Sequence, residues 1–342
     1  MISDNIMRDI SYRIPKAELH LHLEGSFEPE LMFEIAKRNN IQVVYKNVEE
    51  LRQKYKFNNL KEFLDIYYES CSVLINKEDF HDLAYNFIKK AASQGLKYVE
   101  PFFDPQTHLQ RKIPFKTMFE GLLSGCESGL KDFDVESNLI MCFLRDRSEE
   151  EAFEVLNEAK EFKSKIIAVG LDSNEQGNPP QKFERVFKEA KSKGYRLVAH
   201  AGEEGTAKSI SDALECLNIE RIDHGCALIH DDDLVKKFAE NKIPLTMCPL
   251  SNHKLQVTPD LSKHMLKKLL DRGVMVMINS DDPAYFGGYI GENYYEIWKA
   301  LNLSFDDIVA LAKNSFESTF LSDDRKKYYV NLVTEFSKNN KA

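Results

Sequence analysis

Pro15-Lys16-Ala17-Glu18-Leu19-His20-Leu21-His22-Leu23-Glu24-Gly25 is a β-type run that closes on two histidines one residue apart. Side chains on a strand alternate faces with period two, so His20 and His22 project to the same side. The arrangement returns along the chain. His200 and Glu203 close Tyr195-Arg196-Leu197-Val198-Ala199-His200-Ala201-Gly202-Glu203, and His224 closes Arg221-Ile222-Asp223-His224-Gly225. Asp281 and Asp282 close Val274-Met275-Val276-Met277-Ile278-Asn279-Ser280-Asp281-Asp282. Strands that each end on a metal- or proton-binding group are those of an α/β barrel, whose catalytic groups gather at the carboxyl ends of the strands.

Eight apolar, β-branched-rich segments can be marked outward from this run: 17–23, 98–103, 137–144, 166–171, 196–201, 221–225, 243–248 and 274–279. Most are separated by stretches with helical spacing. Phe115, Met118, Phe119, Leu122, Leu123, Cys126 and Leu130 form one stripe of an amphipathic helix. Its Gly121, Gly125 and Gly129 have the spacing of a membrane helix pair, but Glu120 and Glu127 beside them favour close packing in a water-soluble fold. The alternation breaks once: residues 26–92 read as several helices without a strand, an insertion after the first strand. Insertions there lie on the active face of a barrel, so this one is expected to cap the pocket. Ser304 and Asp307 resemble a capping box, followed by a helical stripe through Phe305, Ile308, Val309, Ala312, Phe316 and Phe320. The expectation is one barrel domain over 1–342.

A chain of 342 residues, 43% hydrophobic and 30% charged, can bury a substantial core. Its formal charge of -9 offers no basic face to a phosphate backbone, which argues against nucleic acid and for a small uncharged substrate. The six cysteines include no CxxC pair and several sit in apolar runs, as reduced thiols do in a cytoplasmic protein. The first residues have no apolar core of a signal peptide, and no stretch is apolar for long enough to span a membrane. A cytoplasmic location is expected; the sequence leaves the oligomeric state open.

His-x-His alone is a weak signal, and each strand-end residue taken singly reads equally well as a satisfied polar group at a barrel rim. The set does not. Imidazoles suit zinc, and a catalytic zinc keeps a position open for water. His20, His22, His200 and Asp281 would supply three nitrogens and one oxygen. The fourth segment ends Val169-Gly170-Leu171-Asp172-Ser173 without a lysine to bridge a second ion, so one metal is expected. Glu203, three residues past His200, places a carboxylic acid beside the metal, where a dry pocket would raise its pKa and let it protonate a ring nitrogen. His224 is placed to orient and deprotonate a water, and Asp282 to hydrogen-bond the substrate.

With Cys248-Pro249-Leu250-Ser251-Asn252 and Ser280-Asp281-Asp282-Pro283 added, these motifs resemble, in order and across nearly the whole chain, the adenosine/adenine deaminase family. The resemblance implies a zinc-bearing (β/α)8 TIM barrel holding one Zn2+ on His20, His22, His200 and Asp281. It also implies that Glu203 protonates purine N1, His224 and Asp281 handle the water, and Asp282 faces N7. Glu100-Pro101-Phe102-Phe103-Asp104-Pro105-Gln106-Thr107-His108, the Asn178-Pro179-Pro180 turn and the segment from Asp282 to Tyr289 are similar to the adenine branch, which acts on the free base. That branch implies hydrolytic deamination of adenine to hypoxanthine and ammonia in purine salvage. The nucleoside branch has a glycine after the fourth strand; here the region reads Asp172-Ser173-Asn174-Glu175, with Asn174 where the adenine branch often has serine. Ser173, Glu175, Gly202 and Asp282 are accordingly expected to bind substrate. The alternatives are an adenosine deaminase, a deaminase of N6-substituted adenines, and an inactive barrel kept as a binding module.

Overall fold

The computed structural model describes residues 2–57 and 59–340. The expectation of one domain over 1–342 also took in positions 1, 58, 341 and 342, which lie outside the described residues. Eight parallel barrel positions follow in chain order: β1 (Lys16–Glu18), β2 (Leu96–Val99, resuming at Phe102–Phe103), β3 (Glu136–Ser137, resuming at Leu139–Leu144) and β4 (Ile166–Asp172) come first. β5 (Arg196–Ala201), β6 (Arg221–His224), β7 (Leu245–Met247) and β8 (Val276–Ile278) complete the set. Each pairs in parallel with the next. Pro101, which has no N–H to give a ladder, sits at the break in β2.

The first strand is regular only to Glu18, shorter than its apolar run of 17–23. The physical reason is the closure between β8 and β1, where side chains replace part of the ladder. Leu19 N donates to Asn279 Oδ1 at 2.8 Å and Ser280 N to Glu18 Oε1 at 2.9 Å. Backbone bonds then resume from Asp281 N to His20 O at 3.1 Å and from His22 N to Asp281 O at 3.0 Å. Three expected site residues thus lie on the closing seam itself.

Between β1 and β2 come the helices Pro29–Arg38, Val48–Gln53, Leu60–Ser70 and Lys77–Ala92, with no strand among the described residues. Asparagines start three of them. Asn47 Oδ1 accepts from Glu50 N at 2.9 Å, Asn59 Oδ1 from Glu62 N at 3.0 Å, and Asn76 forms a capping box with Asp79. The last of the four packs on Phe115–Phe133 at the glycine stripe. A Cβ on Gly121 would sit 2.4 Å from Lys77 O and one on Gly125 2.5 Å from His81 O, so the absence of side chains is what lets the helices touch. No helix among the described residues is long and apolar enough to cross a membrane. The Ser304–Asp307 capping box opens Phe305–Glu317 as expected. Asp4–Arg13, a helix the sequence reading did not anticipate, is held to Ile290–Leu301 by Tyr12 Oη donating to Glu292 at 2.6 Å and Tyr295 Oη to Asp4 at 2.7 Å.

Candidate active site

At the carboxyl end of the barrel the four expected ligands meet. His20 Nε2 lies 3.1 Å and His22 Nε2 3.4 Å from the same oxygen, Asp281 Oδ1, and His22 Nε2 is 3.2 Å from His200 Nε2. His20, His200, His224 and Asp281 place donor atoms within 4.8 Å of one another, while His22 joins this cluster through Asp281 and His200. All are buried. His224 and Asp281 have φ of 63° and 65°, in the left-handed region that residues other than glycine seldom adopt. That strain, roughly 1–3 kcal/mol per residue, turns two consecutive side chains toward the site, which an ideal strand cannot do.

The donor set fits a cation. Burial drives down the proton affinity of His22 and His200, and takes that of His224 to about 3, so all three imidazoles are neutral. Burial also acts against a proton on His20, but Asp281 and Asp223 outweigh it and the net direction is up. Asp281 loses solvation on burial, yet the charge and hydrogen bond of His20 hold its carboxyl well below the usual range, as an ionised ligand needs. A carboxylate stands behind each of two rings, beyond direct hydrogen-bonding geometry. His22 Nδ1 faces Asp172 Oδ2 at 3.5 Å and His200 Nδ1 faces Asp223 Oδ2 at 3.8 Å. Acceptors there favour protons on both Nδ1 atoms, which leaves two Nε2 lone pairs opposed at 3.2 Å. A positive ion between them removes that repulsion.

The second layer was not read from the sequence. Asp223 Oδ1 accepts from Thr246 Oγ1 at 2.8 Å, and Thr246 Oγ1 lies 2.9 Å from His20 Nδ1. Asn252, in a motif that carried no assigned role, sits 3.5 Å from His224 Nδ1 through Nδ2 and is fixed by His264 Nε2 at 3.1 Å from its Oδ1. Thr246 lies on β7 and Asn252 on the helix Pro249–Lys254 that follows it, both remote in sequence from the histidines they face, so no local spacing signals them.

Glu203 enters the site from the loop after β5. Burial, then repulsion from Asp281, pushes its carboxyl well above the usual range, and Oε2 lies 3.4 Å from His224 Nε2. Burial and the adjacent Asp281 push Asp282 up as well. Asp282 and Ser173, expected to bind substrate, line the pocket beside Glu203 and His224. Glu175 and Gly202 do not. Glu175 Oε1 accepts from Gly202 N at 2.9 Å, and Oε2 from the N–H groups of Glu203, Glu204 and Gly205 at 3.1, 3.2 and 3.1 Å. Their expected role in substrate binding is therefore corrected: Glu175 spends both oxygens tying down the loop that presents Glu203. The pocket roof comes from the helix Leu60–Ser70, through Leu60, Phe63, Leu64, Tyr67 and Tyr68, so the insertion does cap the site.

Gly25 shows how tightly Asp282 is seated. A Cβ there would fall 1.8 Å from Asp282 Oδ1 and 2.8 Å from its Cα. Gly25→Ala is expected to displace Asp282 together with the adjoining Asp281 backbone, with loss of about a hundredfold or more in kcat/KM. Unchanged kinetics would show that Asp282 has no part in turnover.

Clustered imidazoles and one carboxylate held low in pKa can hold a cation, and beside them stands a carboxyl whose pKa burial pushes up. The class so defined is the metal-dependent α/β barrel hydrolase. Residues 15–336 match the adenosine deaminase family, and the chain belongs to it. An adenine deaminase of Acinetobacter baylyi is 49% identical over 94% of this chain and 97% of its own length. One from Wolinella succinogenes is 49% identical over 96% of this chain and 99% of its own. The crystal structure of adenine deaminase from Arthrobacter aurescens superposes with a TM-score of 0.93 at 44% identity, covering 95% of this chain and 99% of that one.

Proposed function

We propose that the protein deaminates adenine by hydrolysis, giving hypoxanthine and ammonia. The observation that carries this reading is geometric: the buried Glu203 carboxyl, its pKa pushed up by burial, lies 3.4 Å from His224 at the edge of the cluster of His20, His22, His200 and Asp281. The likeness to adenine deaminases over nearly the full length names the base. The pocket lining among the described residues holds aromatic, aliphatic, histidine and acidic side chains, with no lysine or arginine to receive a phosphate. A neutral base suits it better than a nucleotide.

We assign His20, His22, His200 and Asp281 as ligands of one zinc ion, which when bound would lower the pKa of a water far enough to supply hydroxide at neutral pH. Glu203 gives its proton to ring N1 as C6 becomes tetrahedral, keeping negative charge off the ring. Proton transfer of this kind contributes roughly 10²- to 10⁴-fold. His224 orients the attacking water, with Asn252 holding the far side of its ring. Asp282, kept protonated, donates to N7. We place the activity in purine salvage in the cytoplasm, a setting in keeping with six cysteines that are all unpaired.

The test follows the ultraviolet spectrum of adenine during incubation with the enzyme, before and after chelation, with adenosine in a parallel assay. Adenine should be consumed, activity should vanish on chelation, and zinc should restore it. A higher kcat/KM for adenosine would overturn the choice of base.

A further inference from the structure

Two strand ends repeat one device. After β2 the chain reads Asp104-Pro105 and after β8 Asp282-Pro283, and in each case the aspartate is the cap residue of a short helix begun by the proline. An aspartate at that position ordinarily accepts from the helix's own N–H groups. Neither does so here. Both carboxyls line the pocket instead, 3% and 4% exposed; Asp104 adjoins the Asp172 carboxyl and its Oδ1 has no N–H or O–H donor of the protein within ordinary hydrogen-bond geometry, while Asp282 Oδ1 lies against Gly25. A buried polar atom left unpaired costs about 1–3 kcal/mol, and such atoms aimed into a pocket mark what a ligand satisfies.

Asp104 is also held rigidly. Its Oδ2 accepts from Tyr67 Oη at 3.2 Å, on the capping helix, and its N–H donates to Glu24 Oε1 at 3.3 Å. Glu24 Oε1 is in turn 2.9 Å from His108 Nε2, four residues beyond Asp104. Acceptor and roof are thereby fixed together.

The order of the strands places this acceptor against the base. With C6 over the cation site, Glu203 after β5 meets N1 and Asp282 after β8 meets N7. Going round the barrel from β5 through β4 to β2, the purine edge runs from N1 through N3 to N9. On that placement Asp172 and Ser173, at the end of β4, would face N3, and Asp104, after β2, would face N9. Free adenine carries a hydrogen on N9; a nucleoside carries carbon there.

We propose that Asp104 Oδ1 accepts the N9–H of the free base and, under the fixed Tyr67, excludes purines substituted at N9. Asp104 is thus a specificity-determining residue, and the proposal rests on the adenine reading above. A carbonyl or carboxylate oxygen serves equally as acceptor, so nothing depends on its charge. A site built to bond a substrate N–H rejects an analogue lacking it by up to about 10⁴- to 10⁵-fold.

The experiment compares adenine with 9-methyladenine on the zinc-loaded enzyme and on Asp104→Ala and Asp104→Asn. Wild type should favour adenine by about a thousandfold or more. Asp104→Ala should lose about 10- to 100-fold in kcat/KM for adenine, chiefly through KM, and narrow the preference to within about tenfold. Asp104→Asn, which keeps a carbonyl acceptor, should restore most of it. Equilibrium dialysis of wild type with hypoxanthine and 9-methylhypoxanthine needs no variant and no turnover, and should show the same exclusion. An unaltered preference in Asp104→Ala, or equal binding of the two hypoxanthines, overturns the role of Asp104. Failure of wild type to consume adenine while still excluding 9-methylhypoxanthine would instead sink the functional reading and leave the N9 contact standing.

Discussion

Glu203→Gln is expected to retain its full complement of metal and to lose about 10²- to 10⁴-fold in kcat. The amide preserves shape and hydrogen-bonding reach but has no proton to give. Metal content should hold because Glu203 contributes no ligand in the set of His20, His22, His200 and Asp281, and because its backbone is fixed independently by Glu175. The sign of the pH effect follows from burial. A carboxyl whose pKa is raised well above its ordinary value carries its proton at neutral pH and loses it only as the solution becomes alkaline. Wild-type kcat should therefore fall on the alkaline side as Glu203 ionises, and that limb should be missing from the residual rate of Glu203→Gln. Metal analysis and a pH-rate profile of the two proteins check both halves. A variant with near-normal turnover would remove Glu203 from the chemistry and leave N1 without a donor.

The sequence makes one kind of information legible and hides another. Strand ends bearing His20, His22, His200, Glu203, His224, Asp281 and Asp282 are visible because apolar runs stop on polar residues, and barrel geometry guarantees that such ends converge. The glycine stripe and the Ser304 capping box are visible because helical spacing is local. Glu175 was misread for the opposite reason: its position after β4 fits a substrate contact, and only the fold reveals four N–H groups occupying its oxygens. Asp223, Thr246 and Asn252 were missed because each acts on a histidine delivered by a different strand. The orientation of Asp104 was equally hidden, since an Asp-Pro pair reads as a helix start until the side chain is seen to turn away from the helix.

His200→Ala should abolish tight metal binding, a larger effect than the roughly 10- to 100-fold in affinity that loss of an outer partner costs. The consequence reaches beyond activity, because two of the other proposed ligands, His22 and Asp281, carry hydrogen bonds that close the barrel. Between β8 and β1 the regular ladder is reduced to Asp281 N to His20 O and His22 N to Asp281 O, with Leu21 and Asp281 forming an isolated bridge. An ion bound by side chains on both sides of this seam would hold it shut, and binding at a thousand times Kd would add about 4 kcal/mol to the folded state. Chelation should accordingly lower the melting temperature of wild type by several degrees while leaving that of His200→Ala unmoved. Hydrogen exchange localises the effect: the amides of His22 and Asp281 should lose protection on chelation, whereas those of Met141 and Val169, in the long β3–β4 ladder, should not. Uniform loss of protection across the barrel would show a general stabiliser rather than a clasp on its seam, and full metal content in His200→Ala would remove His200 from the ligand set.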